Sequence, residues 1–184
     1  AMNNLNFQVQ LGWQSNFTGV KISTSTDGVH WTANTVTSDG FGTSTLLGGK
    51  YLKGRYFLSL DTDCTLITST DAASWSVVDL KTVAMPSGVT GPSGTYDYCS
   101  QPVYRTGKYY VYRGVVAVGG TFNSPDHYEG IYYSSADGLA WTAATFALPA
   151  GFNKIPMGGR SFTVYDTGTT IVIPTVSKVS YVRN

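Results

Sequence analysis

The residues best equipped for chemistry crowd into one stretch, Thr121-Phe122-Asn123-Ser124-Pro125-Asp126-His127-Tyr128-Glu129. It holds the chain's single glutamate, one of its two histidines, and an aspartate three residues before the glutamate. Two carboxylates can share acid and base work on a glycosidic bond, but they must then flank that bond at about 5–10 Å from each other. Asp126 and Glu129 on one short loop point into solvent together, so no catalytic residue is assigned. The same stretch suits recognition better. Phe122, His127 and Tyr128 offer flat ring faces, while Asn123, Asp126 and Glu129 offer hydrogen-bonding groups. Tyr96 and Tyr98, in the long segment between Thr82 and Ser100, join them as candidate ligand-binding residues. Asp61-Thr62-Asp63 reads as a turn, because two carboxylates alone make a thin oxygen set for calcium. The two cysteines, Cys64 and Cys99, have no metal-ligand spacing, and no metal or cofactor is expected. They read as buried thiols in the first instance, with a single disulfide as the alternative.

Composition bounds what such a site can be mounted on. Charged residues make up 12% of the 184, and the net charge is +1, so a polyanion held mainly by Lys and Arg is disfavoured and no nucleic-acid partner is expected. Apolar runs last only a few residues, and no membrane insertion is expected. Thr (24), Ser (18), Gly (21) and Tyr (13) dominate, which fits many short strands joined by polar turns. The start, Ala1-Met2-Asn3-Asn4, lacks the basic and apolar regions of a signal peptide and resembles a cloning remnant, as in an excised domain.

One pattern occurs three times. Ser25-Thr26-Asp27-Gly28-Val29-His30-Trp31-Thr32 returns as Ser69-Thr70-Asp71-Ala72-Ala73-Ser74-Trp75-Ser76 and as Ser135-Ala136-Asp137-Gly138-Leu139-Ala140-Trp141-Thr142. In each, Ser stands two residues before Asp, Trp four after it, and a β-rich run precedes the whole. Between two strands this spacing builds a hairpin turn. The Asp carboxylate accepts backbone N–H groups just ahead, and Gly takes a positive φ at no steric cost. Trp then opens the next strand as a large apolar wedge. Ser25, Asp27, Trp31, Ser69, Asp71, Trp75, Ser135, Asp137 and Trp141 are therefore read as structural turn residues. A second echo, Gly54-Arg55-Tyr56, Gly107-Lys108-Tyr109 and Gly168-Thr169-Thr170, marks another hairpin upstream of the second and third Asp turns. One unit thus reads as four antiparallel strands in roughly 40–50 residues, the size of a propeller blade.

These turns resemble the Asp-box, or bacterial neuraminidase repeat, β-propellers of the sialidase-like superfamily, whose blade turn reads Ser-x-Asp-x-Gly-x-x-Trp. Here Gly follows Asp directly, which shortens the Asp-to-Trp spacing by one residue, and Ala72 stands in place of Gly in the second copy. The resemblance implies an all-β, propeller-like domain over residues 1–184, with blade units near 5–36, 45–80, 101–146 and 160–184. That is three and a half to four blades, closed within one chain or by a second copy in a homo-oligomer. Similar shortened repeats occur in bacteriophage tail fibres and tailspikes and in secreted bacterial proteins, which implies a virion-tail or extracellular location. For sialidase-like chemistry the resemblance asks for an arginine cluster, to which Arg55, Arg113 and Arg183 are the candidates, besides Arg105 and Arg160.

Unit three departs most from the repeat. Gly54 to Asp71 spans 17 residues, but Gly107 to Asp137 spans 30, and the excess contains Phe122 to Glu129. A long polar and aromatic loop on a rigid β scaffold is a common way to present a binding site. The sequence therefore points to a non-catalytic recognition module for a cell-surface glycan or protein. A sialidase-like glycoside hydrolase and a purely structural module of a tail or secreted assembly are the alternatives.

Overall fold

The computed structural model describes residues 4–8, 19–37, 46–60, 64–92, 99–121, 123–148 and 165–172. Among these the protein is all-β, with fourteen strands in four antiparallel sheets and one 3-10 turn, Leu80–Thr82. The first sheet runs β1 (Asn4–Gln8), β2 (Gly19–Ser25), β3 (Thr32–Thr37). A four-stranded meander forms the second: β4 (Leu46–Leu52), β5 (Arg55–Leu60), β6 (Thr65–Ser69), β7 (Ser76–Asp79). The third comprises β8 (Val89–Pro92), β9 (Val103–Arg105), β10 (Lys108–Val118), β11 (His127–Ser135) and β12 (Thr142–Ala147). Two short strands, β13 (Tyr165–Asp166) and β14 (Ile171–Val172), make the fourth.

Local chemistry explains the hairpins. Leu52 pairs with Arg55 and Arg105 with Lys108, which leaves two-residue loops. Both loop residues have positive φ, 47° and 84° at Lys53-Gly54 and 46° and 82° at Thr106-Gly107. Such type I′ turns match the right-handed twist of the strands they join. Unit three differs from the four-stranded expectation. Its sheet has five strands, because β10 pairs with β9 through Lys108–Tyr110 and with β8 through Val116–Val118, on either side of an irregularity between Tyr112 and Gly114.

The sheets stack face to face. Leu58, Leu60 and Ile67 of the second sheet pack with Val20, Ile22 and Val36 of the first. On the opposite face, Phe57 and Leu66 pack with Tyr109, Val111, Tyr133 and Trp141 of the third. All five residues of β6 are buried, because both of its faces meet another layer, Leu66 on one side and Ile67 on the other. Tyr109 donates its hydroxyl to the carbonyls of Leu52 (3.2 Å) and Lys53 (3.3 Å), which ties the third sheet to the hairpin of the second. The fourth sheet is joined to the third by Arg105, whose Nε donates to both Asp166 oxygens at 3.0 Å and whose Nη2 pairs with Oδ1. All four sheets are open, and no ring of sheets closes among the described residues.

Cys64 and Cys99 are not free thiols. They form a disulfide (S–S 2.08 Å, Cα–Cα 5.0 Å) buried in the second junction, linking the start of β6 to the segment before β9. Both cysteines lie in the apolar cluster, so burial and bonding go together here.

Candidate functional site

The three Ser-x-Asp turns repeat one hydrogen-bond network. Ser25, Ser69 and Ser135 donate their hydroxyls to the Oδ1 atoms of Asp27, Asp71 and Asp137 at 3.0, 2.9 and 3.0 Å. Each hydroxyl accepts the N–H of the residue after Asp, Gly28, Ala72 or Gly138, at 2.8 Å. Each Asp Oδ1 accepts the next two N–H groups, at 2.8 and 2.8 Å for Val29 and His30, 2.8 and 2.7 Å for Ala73 and Ser74, and 2.8 and 2.9 Å for Leu139 and Ala140. The residue after Asp takes φ 80°, 60° and 80° in turn, so Ala72 adopts the conformation its glycine counterparts adopt.

This network sets the electrostatics. Donated N–H groups hold the Asp27 carboxyl well below the usual carboxylate range, that of His30 first, then the His30 ring. The N–H groups of Ser74 and Ala73 bring Asp71 to about 2, and those of Leu139 and Ala140 lower Asp137. A general acid working near neutral pH needs the opposite shift. The three aspartates hold turns and have no proton to give.

What the turns deliver is the tryptophan. Trp141 donates its indole N–H to Gly138 O (3.1 Å), is only 9% exposed, and sits in the cluster shared by the second and third sheets. Trp75 donates likewise to Ala72 O (3.2 Å) and packs, partly exposed, on the cluster shared with the first sheet. Trp31 is 41% exposed beside an exposed Val29. One local design therefore meets three different surroundings.

The unit-three insertion is mostly strand, not loop. β10 and β11 have 11 and 9 residues against 6 and 5 in β5 and β6, and His127, Tyr128 and Glu129 lie within β11. β8 braces the extension through Val116, Ala117 and Val118, and the Gly119 N–H donates to Gly88 O at 2.9 Å. The turn at the tip is tight. Thr121 and Ser124 exchange N–H···O bonds of 3.1 and 3.0 Å, and the Asp126 N–H returns to Val118 O at 3.1 Å. The Asp126 carboxylate lies over Gly119, where any Cβ would overlap it, and Gly119 itself has φ 67°. His127 Nε2 meets Glu129 Oε1 at 2.8 Å on one face of β11. The Glu129 carboxyl is held below its ordinary value by the Thr145 hydroxyl first and His127 second. Tyr128, on the other face by strand alternation, is 37% exposed, and Asn123 and Asp126 are exposed as well. The structure thus gathers Asn123, Asp126, His127, Tyr128 and Glu129 at one end of a braced hairpin. Phe122, Tyr96 and Tyr98 lie outside the described residues, as do Asp61 and Asp63.

Of the arginines that sialidase-like chemistry would call on, three lie among the described residues. Arg55 Nη1 donates to Thr68 Oγ1 (3.2 Å) in the second sheet, and Arg113 Nη1 to Tyr133 Oη (2.7 Å) in the third. Arg105 is committed to Asp166. Arg160 and Arg183 lie outside the described residues.

A shallow concavity was not read from the sequence. It measures about 460 Å³ and lies between β3 of the first sheet and the Asp71 turn and β7 of the second, with Asn34, Val36, Trp75 and Val77 in its lining. No sequence signal announces it, because its walls come from segments some forty residues apart. No protein-family description, curated protein or solved structure matches this chain.

Proposed function

We propose that this protein is a non-catalytic recognition module of propeller type, built from Asp-box blades. In this reading the β10–β11 hairpin tip binds a cell-surface glycan or protein, as on a phage tail or a secreted assembly. The observation that carries the reading is the hairpin itself. A regular repeat has been lengthened at one place only among the described units, braced there by an added strand, and given an exposed end of Tyr128, His127, Asn123 and Asp126. Stiff presentation of a few aromatic and polar groups lowers the ordering cost of binding. The face-to-face packing of successive sheets through their tryptophans supports the blade reading. The buried disulfide supports an oxidising, extracellular location, since such bonds are rare where glutathione and thioredoxin act.

The test compares the native chain with Tyr128→Ala and with Asn123→Ala/Asp126→Ala on a glycan array and on host cells. Mass in solution and thermal midpoint are recorded for each. Binding reduced at least about tenfold at unchanged mass and midpoint is expected, a loss of about 1.4 kcal/mol. Native-like binding by both variants removes the tip from the site. Release of product sugar by the native chain replaces recognition with hydrolysis, and a change of mass in the variants replaces it with assembly.

A further inference from the structure

Asp126 is the one described aspartate whose carboxylate holds nothing. Asp27, Asp71 and Asp137 accept the N–H groups of their turns, Asp79 accepts that of Lys81 (2.9 Å), and Asp166 is paired with Arg105. The Asp126 side chain is exposed and makes no hydrogen bond or ion pair among the described residues. Its main chain is nonetheless fixed, since its N–H returns to Val118 O at 3.1 Å and carries the β10–β11 ladder past His127. Two positions on, hence on the same face, stands the part-exposed ring of Tyr128. The residues opposite are small. Tyr128 pairs with Ala117, and Ala117 pairs on its other flank with Gly91 of β8. Gly119 lies beneath the Asp126 carboxylate, where a Cβ would overlap it. A free carboxylate and a phenol ring therefore stand side by side on positions about 7 Å apart along the strand, beside a floor of glycine and alanine.

That arrangement selects a ligand class. The carboxylate accepts a charge-assisted hydrogen bond from a cation, and the adjoining ring face attracts the same charge and the C–H groups beside it. A specific protein interface engages about 20–30 residues a side, whereas this floor spans two ladder positions, the width of a single sugar ring. We propose that the hairpin tip binds a glycan through a hexosamine unit with a free, protonated amine. Asp126 holds the amine while Tyr128 stacks on the sugar ring. An N-acetyl group removes the charge that Asp126 pairs with, and a sialic acid carboxylate is repelled by it. The inference rests on the tip being the recognition site and names the class of glycan it takes.

The test is a 1H–15N titration of the full chain with three probes: the β-1,4 glucosamine trimer, its fully N-acetylated counterpart, and trilysine. The glucosamine trimer should shift the backbone N–H signals of Gly119, Asp126 and Tyr128 saturably, with a dissociation constant near or below about 5 mM. The acetylated trimer should bind at least about tenfold more weakly, and Asp126→Asn, which keeps the shape and removes the charge, should weaken the glucosamine trimer about tenfold. If Asp126→Asn lowers the thermal midpoint, the comparison of the two trimers decides alone. The proposal is overturned if the glucosamine trimer moves none of the three signals at about 20 mM, or if Asp126→Asn binds it as the native chain does. Tighter binding of trilysine overturns it in favour of a basic protein surface. Equal or tighter binding of the acetylated trimer at these signals overturns the choice of amine and leaves the tip as a recognition site. Native-like host-cell binding by Tyr128→Ala and by Asn123→Ala/Asp126→Ala overturns the tip itself.

Discussion

Truncating each repeat tryptophan to alanine asks the same question in three different surroundings. Trp141 is 9% exposed and Trp31 41%, a difference of about a third of the residue's surface. An aromatic side chain buries about 150–250 Å², so the difference amounts to roughly 50–80 Å², or about 1–2 kcal/mol at ~25 cal/mol/Å². Trp141 also loses a buried hydrogen bond to Gly138 O, contributing about 1 kcal/mol more. Trp141→Ala should therefore destabilise by about 3–5 kcal/mol, as buried large-to-small changes do. Trp31→Ala should cost about 2–3 kcal/mol less than that, and Trp75→Ala should fall between them. Urea titrations followed by circular dichroism give the three values, provided the slopes agree. In thermal scans the gap between the extremes should appear as roughly 4–12 °C, at about 2–4 °C per kcal/mol for a chain of this size. Equal costs at Trp31 and Trp141, within about 0.5 kcal/mol, would refute the reasoning, because a further layer would then have to cover the first sheet. A Trp31 cost that rose with protein concentration would identify that layer as a second copy.

Opening the Cys64–Cys99 bond frees a loop of sequence separation 35, and the Cys64→Ser/Cys99→Ser pair should cost about 3–4 kcal/mol by chain entropy. Identical urea midpoints with and without reductant would contradict this. Gly138→Ala should cost about 2–3 kcal/mol, since φ is 80° and the new Cβ would lie 2.5 Å from Arg55 Cδ and 3.0 Å from Phe57 Cζ. Gly168→Ala, with φ 89° and open space around it, should cost only about 1 kcal/mol of backbone strain, so a Gly138 effect no larger than the Gly168 one would discount the contact. Asp27, Asp71 and Asp137 titrate below the ordinary 3.8 in the folded chain. Their stabilisation is therefore complete above about pH 4 and is lost as pH falls toward 2. Melting temperature should drop across that window, and the triple Asp→Asn variant should flatten the drop; an unchanged slope would show that other groups carry it.

The turns were legible because their physics is local. Every bond in the Ser-x-Asp network joins residues at most three apart, so residue types and spacing determine it without knowledge of the rest of the fold. The same holds for Lys53-Gly54 and Thr106-Gly107, where two positions select the hairpin. The disulfide was not legible as a pairing, because the approach of Cys64 and Cys99 depends on how the second sheet stacks on the third. The insertion was seen by length but misread as loop. Its strand character was available in Val115-Val116-Ala117-Val118, an apolar run that simply continues β10 beyond Gly114, and in the β-forming Ile131-Tyr132-Tyr133 of β11. Gly114, with φ 116° at the irregularity, reads in sequence as a stop, whereas in the sheet it is where β10 changes partner from β9 to β8.

The hairpin tip was legible by length for a physical reason. The hairpin tip is an addition to the repeat, and an addition leaves surplus residues that can be counted. The concavity beside Trp75 leaves no such trace, because Asn34, Val36, Trp75 and Val77 come from two segments some forty residues apart. The Ser-x-Asp bonds recur in all three turns and the indole N–H bond recurs at Trp75 and Trp141, so the variation lies in what each tryptophan meets. That is buried packing at Trp141, a half-open polar space at Trp75, and an exposed surface at Trp31. Variation in this protein therefore lies at the junctions and extensions, while the recurrent turn keeps the same bonds in all three copies.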